Sequence, residues 1–304
     1  MLGLSLAMIG AIGFASKGVF AKALYADGWS VETVVLLRAL YALPCMAFWT
    51  VLTQGAQTLA PRHPTALAWT VFAGIACYYF GARFDFQALQ LIDASVERVL
   101  LFSYPSIVVL IDAGLYRRRP DGSMLGALLI TYAGILMVVT GLDLHILHAN
   151  LTGAGLVLAC AMTSAIYYVT GDRWSRVIGS AAYTVYALAA ATACLGFHHV
   201  VSGAHWQTHW DHRDIALFAG LVLFATVVPM LAMAEGVRRL GAPRASVVST
   251  VGPPTTILLG AWLFGERFSI AQWLGVALIV VGILVLEALR RSPTHGAQNP
   301  VRTP

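Results

Sequence analysis

Lys17, Arg38 and Arg98 stand in stretches of chain that are otherwise apolar, and Glu97 directly precedes Arg98. None of these cations has an acidic residue three or four positions away, so no ion pair within one helix accounts for them. A charge at the centre of a bilayer costs roughly 2.5–3.5 kcal/mol on insertion scales, and three would together cost up to about 10 kcal/mol. Residues kept at such a cost suit an anion pocket that grips a carboxylate or a phosphate. The competing reading is that the long side chains reach the membrane interface or pair with Glu97. Glu97 itself reads either as a salt-bridge partner that substrate displaces or as a proton site.

Further candidates surround these four. Tyr41 lies three residues after Arg38 and Tyr104 seven after Glu97, spacings that place each on its charged neighbour's helical face. Pro105, Pro253 and Pro254 remove backbone donors inside expected helices and are candidate hinges or gates. Glu235, with Arg238 and Arg239 at i+3 and i+4, reads first as a surface ion pair and second as a proton-coupling site. Asp112, near Arg117 to Arg119, reads the same way. His205, His209 and His212 would gather three imidazoles if their segment were helical, but no helix signal supports that and no metal is expected. Cys45, Cys77, Cys160 and Cys194 are widely separated with no CxxC pair, which supports neither a disulfide framework nor a zinc knuckle.

The elements that hold these residues are membrane helices. The chain is 59% hydrophobic and 11% charged, against roughly 25% charged in soluble domains. Its mean hydropathy is +0.76. Apolar runs of ~20 residues fall at about 4–24, 32–53, 66–84, 94–116, 123–141, 151–170, 181–202, 214–236, 242–264 and 270–289. The expected fold is therefore an all-α membrane protein of ten transmembrane helices, with 290–304 as a disordered cytoplasmic tail.

Arg62, Arg117 to Arg119, Arg173, Arg176, Arg238, Arg239, Arg244, Arg290, Arg291 and Arg302 all follow even-numbered spans. Only Lys22, Arg83, Arg213 and Arg267 fall in or beside the other loops, where Asp27, Glu32, Asp85, Asp93 and Asp214 are also placed. This bias puts both termini in the cytoplasm. The pI near 9.2 thus reflects topology and calls for no nucleic acid. On this topology Lys17 and Arg38 sit ~10 Å below the outer ends of their helices and Arg98 ~6 Å, at about 1.5 Å per residue, nearly one layer.

The chain also repeats. Ser16 and Ser164, Ala94 and Ala242, Pro105 and Pro253, and Gly134 and Gly282 are each 148 positions apart. A unit of five spans, an odd number, re-enters the membrane from the other side when copied in tandem. Residues 4–141 and 151–289 are therefore expected as two inverted five-helix repeats, the arrangement of a carrier that opens to each side in turn. The positions matching Lys17, Arg38 and Arg98 are Ala165, Tyr186 and Ser246. The charges thus belong to one copy, as substrate or coupling chemistry would, and not to the shared scaffold.

The segment from Ala242 to Glu287, with Ser246, Pro253, Gly265, Glu266, Arg267, Gln272, Gly275 and Gly282, resembles the second repeat of EamA-type transporters of the drug/metabolite transporter superfamily. Leu36 to Phe48 is similar to that family's Arg-led second helix, and Ser95 to Leu110 to a subgroup in which Glu-Arg replaces small residues. The resemblance covers about residues 4–289. It implies a central cavity between helices 1–4 and 6–9, with helices 5 and 10 as scaffold and as the contact of a homodimer.

No cofactor is expected: GxxxxGK[ST] does not occur, so energy comes from a gradient or from exchange. HExxH and GxSxG are also absent, which speaks against an intramembrane enzyme. The expected function is a secondary transporter in a bacterial-type inner membrane, exporting a small anionic or zwitterionic metabolite such as an amino or organic acid. The alternative is a proton-coupled exporter of cationic drugs that uses Glu97.

Overall fold

A computed structural model of the chain describes residues 2–60, 63–115, 144–203, 210–233 and 269–291, with isolated positions between 126 and 137 and between 252 and 265. The described elements are helical, with no strand among the described residues. Six helices are long and apolar enough to cross a bilayer: Leu2–Ala26, Val31–Gln54, Pro64–Leu91, Leu151–Ser175, Ser180–Val201 and His212–Met233. They match the first, second, third, sixth, seventh and eighth expected spans. Large apolar side chains such as Phe48, Leu52, Phe197 and Val200 point outward, as lipid-facing surface requires.

Local chemistry sets the helix ends. Ser30 caps Val31–Gln54, accepting from the Thr33 amide at 3.3 Å, and Gly55 stops that helix at φ 84°. Asp211 and Asp214 form a reciprocal capping box at the start of His212–Val222. Asp214 also accepts from Trp29 Nε1 at 2.9 Å, tying the first loop to the eighth span. Trp29 is therefore buried, at 2% exposure.

Two expected spans are interrupted. The first breaks at Ser16 into Leu2–Ala15 and Lys17–Ala26. Thr256 Oγ1, from the ninth expected span, donates to the Ala15 carbonyl at this break at 3.3 Å. The fourth consists of Ala94–Leu101 and Tyr104–Leu115. Pro105 is thus in the first turn of a new helix, where its missing N–H leaves no bond unmade, and does not kink a continuous one. Pro253, Pro254 and Glu235 lie outside the described residues, as does the Asp112 side chain. The last helix, Ile270–Arg291, runs two residues into the expected tail.

The third span needs the largest correction. It continues to Leu91, so Arg83 and Asp85 are inside a helix and not in an outer loop. Arg83, Asp85, Gln87 and Gln90 lower the local hydropathy and mimic a span end. The polar groups are accommodated sideways: Asp85 is 4% exposed, and Arg83 Nη2 lies 3.5 Å from Glu32.

Elements recur at the spacing of the sequence repeat. Pro64–Gly74 and His212–Val222 start 148 positions apart, and each leads directly into a π-helical turn, Ile75–Gly81 and Leu223–Val227, again 148 apart. Gly55 and Gly203, both at positive φ, follow the matching helices Val31–Gln54 and Ser180–Val201. In the second copy the π turn has a visible cause. Pro229 would clash with the Ala225 carbonyl of a regular helix, and the wider turn relieves this. Thr226 Oγ1 caps the displaced Leu221 carbonyl at 2.8 Å.

The copies are interleaved. One apolar cluster joins Leu24, Val35 and Phe86 to Leu188, Phe218 and Leu221, and another joins Val96 and Leu100 to Val157 and Ile279. Between membrane helices, small residues permit such contacts. Gly74 meets the backbone of Ala187, and Gly13 meets Pro229 and the Phe224 carbonyl.

Candidate functional site

The interruption at Ser16 leaves Lys17 at the start of the Lys17–Ala26 segment, turned inward at 8% exposure. Its ammonium donates to Asp85 Oδ2 and, at 3.3 Å, to Glu97 Oε1. Asp85 comes from the third span and Glu97, 1% exposed, from the fourth. One buried ammonium therefore bridges two carboxylates from different helices. Lys17 reaches no interface, and its pairing with Glu97 is one of the arrangements its sequence context suggested.

Phe86, fully buried, separates the first two cations. Lys17 Nζ lies 5.7 Å from the ring centroid and the Arg38 guanidinium 5.0 Å. Cation–π attraction at these distances contributes about 0.5–2 kcal/mol each when desolvated. Arg98, 9% exposed, stacks its guanidinium 5.4 Å from Phe102, and its Nη2 lies 3.6 Å from where a Gly252 side chain would begin. A glycine at position 252 thus lets a helix of the second copy approach the charged layer of the first.

Lys17, Arg38, Asp85, Glu97 and Arg98 are three basic side chains against two acidic ones. Asp85 Oδ1, Glu97 Oε2, Arg38 Nε and Arg98 Nε are buried with no hydrogen-bond partner among the described residues. The hydroxyls of Ser103 and Ser106, at the interruption of the fourth span, are likewise buried and unpartnered. Unpaired buried donors and acceptors cost about 1–3 kcal/mol each, more when charged. Such a set is chemically suited to a guest that brings the missing partners.

Of the aromatic candidates, Tyr104 stays with the site. It lies 6.2 Å from Phe102 and stacks on Tyr168 at 5.0 Å, extending the line from Arg98 toward the sixth span. Tyr78 and Tyr183 pack against the adjoining Tyr167. Tyr41 does not join them: it is 47% exposed and lines an open apolar hollow with Trp210 and Phe218. Sharing a helical face with Arg38 is too coarse a criterion, because Arg38 lies over the buried Phe86 while Tyr41 is exposed. Among the matching positions of the second copy, Ala165 is fully buried and Tyr186 donates to the Leu59 carbonyl at 2.6 Å, so neither repeats the charges. His212 is an exposed first residue of its helix, whereas His205 and His209 lie outside the described residues.

Asp85 is the residue that the sequence reading missed. Two signals point to it. It lies between Phe84 and Phe86 with no glycine or proline before Asp93 to end the helix, and Lys17 needed an acid that its own helix lacks.

A multi-pass helical protein with a buried charged layer assembled from several spans has the construction of a membrane transporter. The profile of the EamA-like transporter family matches residues 1–140 and again 151–287, and the chain belongs to that family. It is 31% identical over 273 residues to the "Uncharacterized transporter YcbK" of Bacillus subtilis (strain 168), covering 88% of this chain and 87% of that protein. It is 24% identical over 296 residues to the "Uncharacterized inner membrane transporter YicL" of Salmonella typhimurium, covering 94% and 95%. A crystal structure with 20% sequence identity superposes with a TM-score of 0.63 over 94% of this chain and 98% of that one, a likeness of fold alone.

Proposed function

We propose that this transporter is a secondary carrier of the inner membrane, built as ten spans in two inverted copies with both termini cytoplasmic. It exports a small anionic or zwitterionic metabolite, such as an amino or organic acid, by alternating access. The observation that carries the reading is the imbalance of the buried layer: three cations against two carboxylates, with unpartnered Nε groups on Arg38 and Arg98. Lys17 is already held by Asp85 and Glu97, so Arg98 is the cation assigned to the substrate's negative group. The position of Arg98 beside Gly252 supports this, because a substrate there touches both copies.

Counterflow in proteoliposomes, screened with anionic, zwitterionic and cationic solutes, tests the reading. Uptake of an anion or zwitterion is expected, with a fall of at least about tenfold in Arg98→Gln, equivalent to ~1.4 kcal/mol of lost binding. Unchanged anion uptake in Arg98→Gln would remove the guanidinium from the site. Preference for cations alone would favour the second reading, proton-linked export of cationic compounds, for which the unpartnered oxygens of Asp85 and Glu97 are the supporting observation.

A further inference from the structure

Asp85 and Glu97 approach from different helices and meet at one ammonium, that of Lys17. Lys17 occupies one oxygen of each, Asp85 Oδ2 and Glu97 Oε1. The remaining oxygens, Asp85 Oδ1 and Glu97 Oε2, are buried without a partner. Two carboxylate oxygens only accept, so no rearrangement of this pair alone satisfies both. A single proton on one carboxyl group turns an acceptor into a donor, which the other carboxylate, held by the same ammonium, can accept. Two carboxylates in one desolvated site also repel, which favours retention of one shared proton.

We infer that Asp85 and Glu97 form a proton-binding site in which one exchangeable proton is shared between the two carboxyl groups, with Lys17 as the fixed counter-charge. The proton comes from hydronium in the compartment to which the site opens and returns to water from the same O–H bond. No other bond forms or breaks. The groups facing the pair are Lys17 and Tyr25 from the first span, Arg38 from the second, Cys77 from the third, Arg98 from the fourth and Cys160 from the sixth. Three of these are cations, which limit how strongly the pair holds its proton and keep it exchangeable. The role of this site as that of the coupling ion rests on the carrier reading, whereas the proton site itself does not.

Infrared difference spectra of the purified full-length protein across a pH titration test the proposal without any substrate. A carbonyl band of a protonated carboxylic acid, set apart from the band of the exposed acids by its desolvated surroundings, is expected to titrate in the native protein. Its midpoint is expected to fall by about one pH unit or more in Asp85→Asn and likewise in Glu97→Gln, because each variant removes the neighbouring like charge. Absence of this separate titrating band from the native protein would overturn the proposal, as would a midpoint unmoved in either folded variant. The native titration decides even if a variant fails to fold. A failed solute screen with an intact titration would discard the anion reading and leave the proton site standing.

Discussion

Lys17→Met is expected to be the most damaging single substitution in the chain. It leaves Asp85 and Glu97, 4% and 1% exposed, facing each other without the ammonium that bridges them. Removing one member of a buried ionic set costs about 3–5 kcal/mol, because the charge left behind is uncompensated. In thermal unfolding of detergent-purified protein, this variant should lose most of its stability or fail to accumulate. The double variant Lys17→Met/Asp85→Asn is expected to recover a large part of the loss, since it removes the second of two opposed carboxylates. Full stability of Lys17→Met alone would mean that Lys17 is a peripheral cation. The sign is informative, because a lysine held only for substrate could be replaced by methionine at little cost to stability.

Gly74→Leu should have the second largest effect, for a reason unrelated to charge. A side chain at Gly74 would run into the carbonyl and Cα of Ala187 on the seventh span. These are backbone atoms of a packed helix and cannot rotate aside. Overpacking of this kind costs about 1–3 kcal/mol and sometimes more, and leucine adds three carbons beyond the first clash. The contact joins the third span to the seventh, and hence the first copy to the second, so loss of the monodisperse species is expected in size-exclusion chromatography. Gly196→Ala provides the control. No atom lies near its side-chain position, and alanine in a helix interior is favoured over glycine by ~1 kcal/mol. Equal behaviour of the two variants would contradict the close crossing at Gly74.

The parts of this fold visible in the sequence depend on simple periodic rules. The Val31–Gln54 and Ser180–Val201 helices are mainly apolar runs bounded by turn residues, and the structure gives them within one or two residues of the expected limits. Lys17, Arg38 and Arg98 fall in one layer on the rise per residue alone, and in the structure Lys17 and Arg38 lie against the same ring, that of Phe86. Two kinds of feature escape such rules. Asp85 is polar along the chain but paired across it, so an average over neighbours reads it as loop while three-dimensional contact makes it core. The interruption at Ser16 has no proline to announce it, and glycines like the neighbouring Gly13 and Gly18 are ordinary in membrane helices. The carbonyl of the fully buried Ala15 beside it accepts from Thr256, more than two hundred residues away, which no local pattern contains. Tyr41 shows the opposite error, because a shared helical face places a side chain only within a wide arc.

The π turns carry a further lesson about the repeat. They begin at matched positions, yet the second copy has Pro229 where the first has Gly81. The same backbone geometry therefore appears where one copy requires it sterically and the other merely allows it. Gly81 closely approaches the Thr163 side chain, which gives the first copy its own reason to lack a side chain there. The charged layer behaves differently, with Lys17 and Arg38 answered by Ala165 and Tyr186. Shared backbone and unshared charge together separate scaffold from chemistry.

The central claim is that the two copies face opposite ways across the membrane. Gln54 and Ser202 are matched positions, both exposed, each just before a glycine of positive φ at the end of its helix. Single cysteines at these two sites, with Cys45, Cys77, Cys160 and Cys194 replaced, can be probed with a membrane-impermeant maleimide on intact cells. The account predicts that Ser202→Cys is labelled from outside and Gln54→Cys only after permeabilisation. Labelling of both from the same side would contradict the inverted arrangement and the alternating-access carrier built on it.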